Sequence, residues 1–448
     1  MKLKPFRNFV SAAMMVAVMA PAAVAQVGYE PTEENLQARE AFRDSGFGIF
    51  IHWGVSSMLG RGEWVLNRDD VTLDEYERLA ASFYPSRFDA DAWARAFKAS
   101  GAEYITFTTR HHDGFSMFAT EQSPYNIVDG TPYGRDVLKE LSQACARHGL
   151  KLHLYYSHLD WRRDDYVPLG RTGHDPGRRS DGRWSDYLAF MNAQLTELLT
   201  GYGPIGAIWF DGLWDRDEQP GGMDAELWQL PQQYAMIHRL QPACLIGNNH
   251  HVTPYAGEDM QIFERDKPGE NTAGLSGQAV SALPLETCQT MNDSWGYRIT
   301  DDNYKSSGEL IRYLVGTAGR DANLLLNVGP RPDGTLPEKA VKRLADIGAW
   351  MQTYGATVKG VRGGPVAPHE WGVTTHRGRT MYVHVISDST DDAILLPYTA
   401  AKPVKACMYD SREAVPFTVT PAGIVLRLPV AAAAVPDRVV ELTFKTDI

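Results

Sequence analysis

The sequence predicts an α/β protein: a (β/α)8-type barrel followed by a small C-terminal antiparallel β-sandwich. Three observations carry that prediction. From about residue 45, apolar strand-like runs alternate with segments in helical spacing over roughly 300 residues, the pattern of a parallel sheet covered by helices. About eight strand candidates fall in that stretch, which suits a closed barrel better than an open sheet. No Gly-x-Gly-x-x-Gly follows the first strand, so a dinucleotide-binding sheet loses its main support. After Tyr354-Gly355 the helical spacing stops, and short β-branched runs separated by Gly, Pro and Asp take over.

Taken in order, residues 1–25 read as a secretory signal. Lys2, Lys4 and Arg7 give a basic start, Phe9 to Ala20 is almost entirely apolar, and Ala23-Val24-Ala25 offers small residues for cleavage before Gln26. The segment is short for a membrane anchor. The mature chain is therefore expected to be secreted or periplasmic, with a catalytic barrel over 26–355 and a sandwich over 356–448. Strands are expected at 46–53, 104–109, 151–157, 207–210, 244–247 and 323–328, and more weakly near 260–264 and 285–290. Helices fall between them. Asp89 can cap a helix over 89–100 that buries Trp93 and Phe97, and 135–149 places Val137, Leu138, Leu141 and Cys145 on one face. Further helices are expected at 184–201, 226–240, 308–318 and 337–353. The sandwich strands include Thr380–Ile386, Ala393–Leu396 and Val439–Phe444.

Losing the signal removes three cations and no anion, so the net charge moves from −11 to −14 (41 basic residues against 55 acidic). An acidic exported chain is a poor candidate for binding nucleic acid or an anionic membrane. Four cysteines (Cys145, Cys244, Cys288, Cys407) share no C-x-x-C spacing, so a cysteine zinc site has no pattern here.

Chemistry is expected where strands end. Residues 207–213 (Ala-Ile-Trp-Phe-Asp-Gly-Leu) deliver Asp211 into a turn, the 47–54 run stops at His52 and Trp53, and the 104–115 run stops at His111, His112 and Asp113. Polar groups converging from several strand ends is the pattern of a barrel active site. Imidazoles beside Asp113 could bind zinc, but adjacent residues on a strand project to opposite faces, so no metal is expected.

Several segments together resemble the family 29 α-L-fucosidases of the glycoside hydrolases. They are Phe47-Gly-Ile-Phe-Ile-His-Trp-Gly54, Gly62-Glu-Trp64, Thr109-Arg-His-His-Asp-Gly-Phe115, Leu154-Tyr-Tyr-Ser157 and Ile208-Trp-Phe-Asp-Gly212. Further along come Leu285-Glu-Thr-Cys288, Ser294-Trp-Gly-Tyr297 and Gly319-Arg-Asp-Ala-Asn-Leu-Leu-Leu-Asn-Val-Gly-Pro330. The resemblance spans about residues 35–355. It implies a retaining exo-glycosidase that releases terminal α-L-fucose from oligosaccharides or glycoconjugates through a covalent fucosyl-enzyme intermediate, with no cofactor.

In that family the nucleophile is the Asp of the fourth-strand motif, which falls on Asp211. The acid/base matches Glu286, with Glu264 as rival and Glu258 as a weaker one. His52, Glu63, Trp64, His111, His112, Tyr156, Trp209 and Trp295 are implied around the sugar. Leu285 stands where many relatives have Trp, which points toward branched, α1-3/4-linked substrates. Two other readings stay open: a fucose-binding protein without chemistry, and a retaining glycosidase for a fucose-like sugar such as α-L-galactose.

Overall fold

The computed structural model describes residues 29–68, 71–174, 177–387, 392–429 and 435–448, so the expected signal segment lies outside it. Eight strands form one parallel sheet: β1 (Phe47–Ile51), β2 (Tyr104–Arg110), β3 (Lys151–Ser157), β4 (Ala207–Asp211), β5 (Leu245–Asn249), β6 (Gln261–Glu264), β7 (Leu285–Thr290) and β8 (Ala322–Val328). Their order is β5-β4-β3-β2-β1-β8-β7-β6. A single parallel bridge, Gly247 to Met260, brings the two edges together, so the barrel is nearly closed. Helices cover its outside, as the alternation predicts.

The strands read as continuous apolar runs because both faces are buried. One set of side chains packs outward against the helices, including Ile49, Ile51, Phe107, Leu154, Phe210 and Leu326. The other set fills the barrel: Phe50, Tyr104, Tyr155, Trp209, Ile262, Cys288 and Leu325. Each such burial contributes about 1.5–3 kcal/mol. A Cβ on Gly48 would lie 2.4 Å from the Tyr104 ring, so this glycine is what lets that ring cross the barrel interior.

The expected helix caps are present. Asp89 accepts from Ala92 N (2.8 Å) ahead of the helix Ala90–Ala99, and Asp136 accepts from Lys139 N (3.0 Å) ahead of Val137–His148. Three helices were not anticipated, one of them the single turn Val65–Arg68. Glu33–Arg43 precedes the barrel and contributes Phe42 to its interior cluster. Leu73–Ala80 is announced by a capping box, Thr72 with Glu75, that the sequence does contain.

The remaining strands are β9 (Arg362–Gly363), β10 (Gly372–Arg377), β11 (Thr380–Val385), β12 (Ala393–Leu396), β13 (Lys405–Met408), β14 (Phe417–Thr420), β15 (Gly423–Arg427) and β16 (Arg438–Thr443). They form antiparallel sheets of order β13-β16-β11-β10-β9 and β12-β15-β14. Val383, Leu396, Ile424, Leu426, Val440 and Leu442 belong to one core shared by the two sheets. All four cysteines are buried free thiols, Cys145 on the expected helix face.

Candidate active site

A cavity of about 740 Å³ opens at the carboxyl ends of the barrel strands. It gathers Asp211 from the end of β4, Glu264 from the end of β6, His52, His111 and His112 from beyond β1 and β2, and Trp209 from β4. Glu63, Trp64 and Trp295 come from loops, and Trp214 from the short 3-10 helix Leu213–Arg216. Strand ends put polar groups here because the last residues of a parallel strand are released from the ladder beside the loops that follow.

Asp211 is 8% exposed and heavily hydrogen-bonded. Its Oδ1 accepts from Gly212 N (2.8 Å), Trp214 Nε1 (2.8 Å) and Asn249 Nδ2 (3.3 Å), and its Oδ2 accepts from Tyr155 OH (2.8 Å). Gly212, at φ 89°, makes the left-handed turn that follows, and a Cβ there would meet Leu159 at 2.6 Å. Burial, and then the Glu264 charge, push the Asp211 carboxyl up to about 6, against the donations from Trp214 and Tyr155.

Glu264 faces the same space. Asn249 Nδ2 also donates to Glu264 Oε2 (2.8 Å), and His251 Nε2 lies 3.3 Å from that oxygen. Contacts of 3.3 and 2.8 Å through one nitrogen bound the Asp211 Oδ1 to Glu264 Oε2 separation at about 6.1 Å. Burial acts to raise the Glu264 carboxyl, but His251, Asn249 and Arg265 outweigh it and hold the group below its ordinary value. The backbone on either side is unusual: His251 and Arg265 are both left-handed, at φ 63° and 62°. Strain of this kind persists where the surroundings over-determine it, and here it flanks a buried carboxylate.

The histidines present hydrogen-bond acceptors to the cavity. Burial first of all lowers His52 to about 4 and His112 to about 3, so both are neutral near pH 7. Asn327 Nδ2 donates to Trp295 O (2.6 Å), which turns its Oδ1 toward His52 Nδ1 at 2.7 Å. The proton of His52 is therefore on Nδ1 and the Nε2 lone pair is free. Ser157 Oγ gives its only proton to Leu159 O (2.6 Å), so at 2.7 Å it must accept from His112 Nδ1. The Nε2 of His112 then carries a lone pair 3.6 Å from Asp211 Oδ2. Two acceptors that close call for a donor between them, such as a sugar hydroxyl.

The expectation that His111 and His112 face opposite ways does not hold. The β2 register shifts between Thr108 and Arg110, the strand ends at Arg110, and both rings line the cavity 4.2 Å apart. His111 stacks on Tyr155 (5.3 Å, 8°). Glu63 is half-buried and accepts from Gly296 N (2.6 Å); burial raises its carboxyl. Trp64 stacks on Trp214 (5.8 Å, 13°), and Trp295 lies 5.2 Å from His52.

Two expected site residues lie elsewhere. Tyr156 points outward and donates to Gln194 (2.8 Å) on the helix Trp184–Gly201; its neighbour Tyr155, level with Trp209 across β3 and β4, reaches Asp211 instead. Glu286 is fully buried in the barrel interior, where it accepts from Tyr104 OH (2.5 Å) and Trp209 Nε1 (2.8 Å), and it does not line the cavity. It is the second residue of β7, near the amino end of the barrel. Glu258 is also remote, bound to His250 (3.0 Å) and Tyr234 OH (3.1 Å). Sequence reading missed Tyr155, Trp214, Asn249 and His251. Trp214, three residues past Asp211, was the one most open to detection.

Burial pushes Glu286 up to about 7. Its unfolded value is about 4.3, so between those pH values the unfolded chain releases a proton that the native state keeps. This contribution to stability is complete below about pH 4.3 and is lost as pH rises through about 7. Glu286→Gln is expected to flatten that fall in melting temperature. An unchanged slope in the variant would contradict this reading.

Among the described residues, no three His, Cys, Asp or Glu side chains are grouped to hold a metal ion, and no helix is long and apolar enough to cross a membrane. The α-L-fucosidase family model matches residues 16–356. The rat plasma α-L-fucosidase is 30% identical over 75% of this chain and 74% of its own length, and the human plasma enzyme is 28% identical over 83% and 82%. Among solved structures, α-L-fucosidase isoenzyme 1 from Paenibacillus thiaminolyticus superposes with a TM-score of 0.81 at 32% identity, covering 92% of this chain and all of that one. An α-L-fucosidase from Bacteroides thetaiotaomicron, trapped as a covalent intermediate with 2-fluoro-fucosyl fluoride, shares the fold (TM-score 0.80, 24% identity, 95% and 100% covered).

Proposed function

This chain belongs to the α-L-fucosidase family, glycoside hydrolase family 29, and from that premise we propose that it is a retaining exo-α-L-fucosidase with Asp211 as nucleophile and Glu264 as acid/base. The observation that carries the proposal is one cavity in which Asn249 Nδ2 bridges Asp211 Oδ1 and Glu264 Oε2, holding those oxygens within about 6.1 Å of each other. Retention needs carboxyl groups roughly 5–5.5 Å apart, whereas inversion needs about 6.5–9.5 Å to admit water. Glu264 replaces Glu286 in the acid/base role because Glu264 ends its strand at the cavity and Glu286 begins its strand at the far end.

The cycle follows from the contacts. Three donors occupy Asp211 Oδ1, so Oδ2 is the freer oxygen. It bonds to C1 of the fucose as the C1–oxygen bond to the leaving group breaks, and Glu264 protonates the departing oxygen. Glu264 then takes a proton from water, the water oxygen bonds to C1, and the C1–Oδ2 bond breaks. His52 and His112 accept sugar hydroxyls through Nε2, and Trp64, Trp209 and Trp295 supply apolar walls.

The finer readings are part of the same proposal. Residues 26–355 form the catalytic unit and 356–448 the appended sandwich. The substrate is a fucosylated oligosaccharide or glycoconjugate. The cavity has room for part of a leaving-group sugar, and a branched, α1-3/4-linked leaving group is the reading carried over from the sequence. Export is supported by the basic and apolar N-terminal pattern.

The active pair holds one proton, which rests on Asp211 in the free enzyme and must pass to Glu264 before Asp211 can attack. Adding a second below the lowered Glu264 value, or losing the last above about 6, removes that form. The kcat/KM profile is therefore expected to be a bell with its optimum below pH 6, falling about tenfold per unit on the alkaline side. A plateau extending past pH 8 would contradict the pairing. Hydrolysis of 4-nitrophenyl α-L-fucoside and of a fucosylated α1-3/4 oligosaccharide, followed by proton NMR, tests the activity itself. Initial release of the α-anomer is expected; initial β-anomer, or no release from either, would overturn it.

A further inference from the structure

Between β5 and β6 the chain makes a short excursion over residues 250–260 that holds a buried polar pair, His250 with Glu258. Their side chains are 2% and 1% exposed, and neither residue lines the cavity. His250 Nε2 lies 3.0 and 3.1 Å from the two Glu258 oxygens. The tautomer is fixed from the other side of the ring. Val252 N donates to His250 Nδ1 (3.2 Å), so the ring proton is on Nε2 and is given to Glu258. Tyr234 OH (3.1 Å) donates to the same carboxylate, and the Tyr255 ring packs edge-on against the imidazole at 4.8 Å.

The bond from Val252 N to His250 closes a ring around one residue, His251. That ring holds His251 at φ 63°, a backbone conformation most side chains avoid. Held there, His251 turns into the cavity, with its Nε2 at 3.3 Å from Glu264 Oε2. Asn249 Nδ2 donates to that oxygen as well (2.8 Å). Two donors fill the two lone pairs of Oε2, which leaves Oε1 to carry a transferable proton. When Glu264 gives up that proton, both donors meet the charge that appears. The other titratable groups facing Glu264 are Asp211 from β4, Tyr155 from β3, His52 beyond β1, Cys288 from β7 and the adjacent Arg265. Among the groups that lower the Glu264 carboxyl, His251 acts most strongly.

We propose that His251 is the positioning residue of the acid/base: clamped by the His250–Glu258 pair, it selects Glu264 Oε1 to carry the proton that the leaving oxygen takes up. The proposal rests on the fucosidase reading of the cavity with Glu264 as acid/base. Its test compares wild-type protein with His251→Phe, His251→Gln and Val252→Pro. The substrates are a fucosylated oligosaccharide and 2-chloro-4-nitrophenyl α-L-fucoside, whose leaving group departs without a proton. Val252 is 39% exposed, so proline there acts chiefly by removing the N–H that bonds His250 and by driving His251 toward extended backbone.

His251→Phe is expected to lower kcat/KM on the oligosaccharide by about 10–100-fold, mainly through kcat, and on the aryl fucoside by about threefold at most. His251→Gln, whose amide nitrogen can stand where Nε2 does, should recover most of the loss. Val252→Pro should reproduce the His251→Phe pattern, and the two together should cost no more than either alone. The acid limb of the kcat/KM profile should move to higher pH in His251→Phe, because a donor that favours charged Glu264 is gone. Equal losses on both substrates, an unmoved acid limb, or full activity of His251→Phe on the oligosaccharide overturns the proposal; wild-type activity of Val252→Pro overturns the clamp. If the wild-type protein releases fucose from neither substrate, the fucosidase reading fails instead. Titration of the Glu264 carboxyl by carbon-13 NMR, assigned with Glu264→Gln, then still tests the contact, and a midpoint unmoved by His251→Phe overturns it.

Discussion

Asp211→Gly is expected to lower kcat on an aryl α-L-fucoside by about 10⁴-fold or more, because no other group can form the bond to C1. The variant should stay folded: the side-chain donors left behind, Trp214 Nε1, Tyr155 OH and Asn249 Nδ2, belong to residues that line the cavity, where water can satisfy them. Azide supplies the sharper result. A small anion entering the vacated space attacks C1 from the side Asp211 used, so an activated substrate should yield β-L-fucosyl azide, the inverted product. Near-wild-type turnover, or azide product of retained configuration, would remove Asp211 from the role.

Replacing Glu264 with Ala should cost about 10²–10⁴-fold in kcat/KM on an oligosaccharide, whose leaving oxygen must be protonated. An aryl fucoside with a leaving group that needs no proton should lose much less in its first step. Its second step then lacks a base, so azide should restore turnover and give α-L-fucosyl azide, with configuration retained. Glu286→Gln is the control, and it should keep near-wild-type kcat/KM on both substrates because it lies outside the cavity. Azide rescue of Glu286→Ala but not of Glu264→Ala would return the acid/base role to Glu286.

The contrast between these two glutamates shows what was legible before any coordinates. Both lie in segments readable as strands, and local motif matching favours Glu286. Depth along the barrel decides otherwise. Once β7 is placed at Leu285–Thr290, Glu286 is near the amino end of the barrel, whereas Glu264 closes β6 at the carboxyl end. That inference was available from the strand boundaries alone, since chemistry belongs at carboxyl ends. Asp211, His52, His111 and His112 were legible for the same reason: each stands at or just past such an end.

Other features depended on register, which no single strand encodes. Tyr155 faces inward because it pairs with Trp209, and Tyr156 therefore packs against the helices. Asn249 and His251 became visible only when β5 ran to Asn249, two residues beyond the expected end, bringing them beside Glu264. The sandwich was readable from alternation, but which strand belongs to which of its two sheets was not, because strand order depends on long-range pairing.

The central claim is that a carboxylate of Asp211 becomes covalently bound to the sugar. It is tested most directly by incubating the protein with 2-fluoro-fucosyl fluoride, digesting it, and locating the added mass by sequencing the labelled peptide. A single fluorofucosyl group on Asp211, absent after Asp211→Asn, is the expected result. A label on any other carboxylate, or fluoride release with inverted sugar and no adduct, would contradict the account.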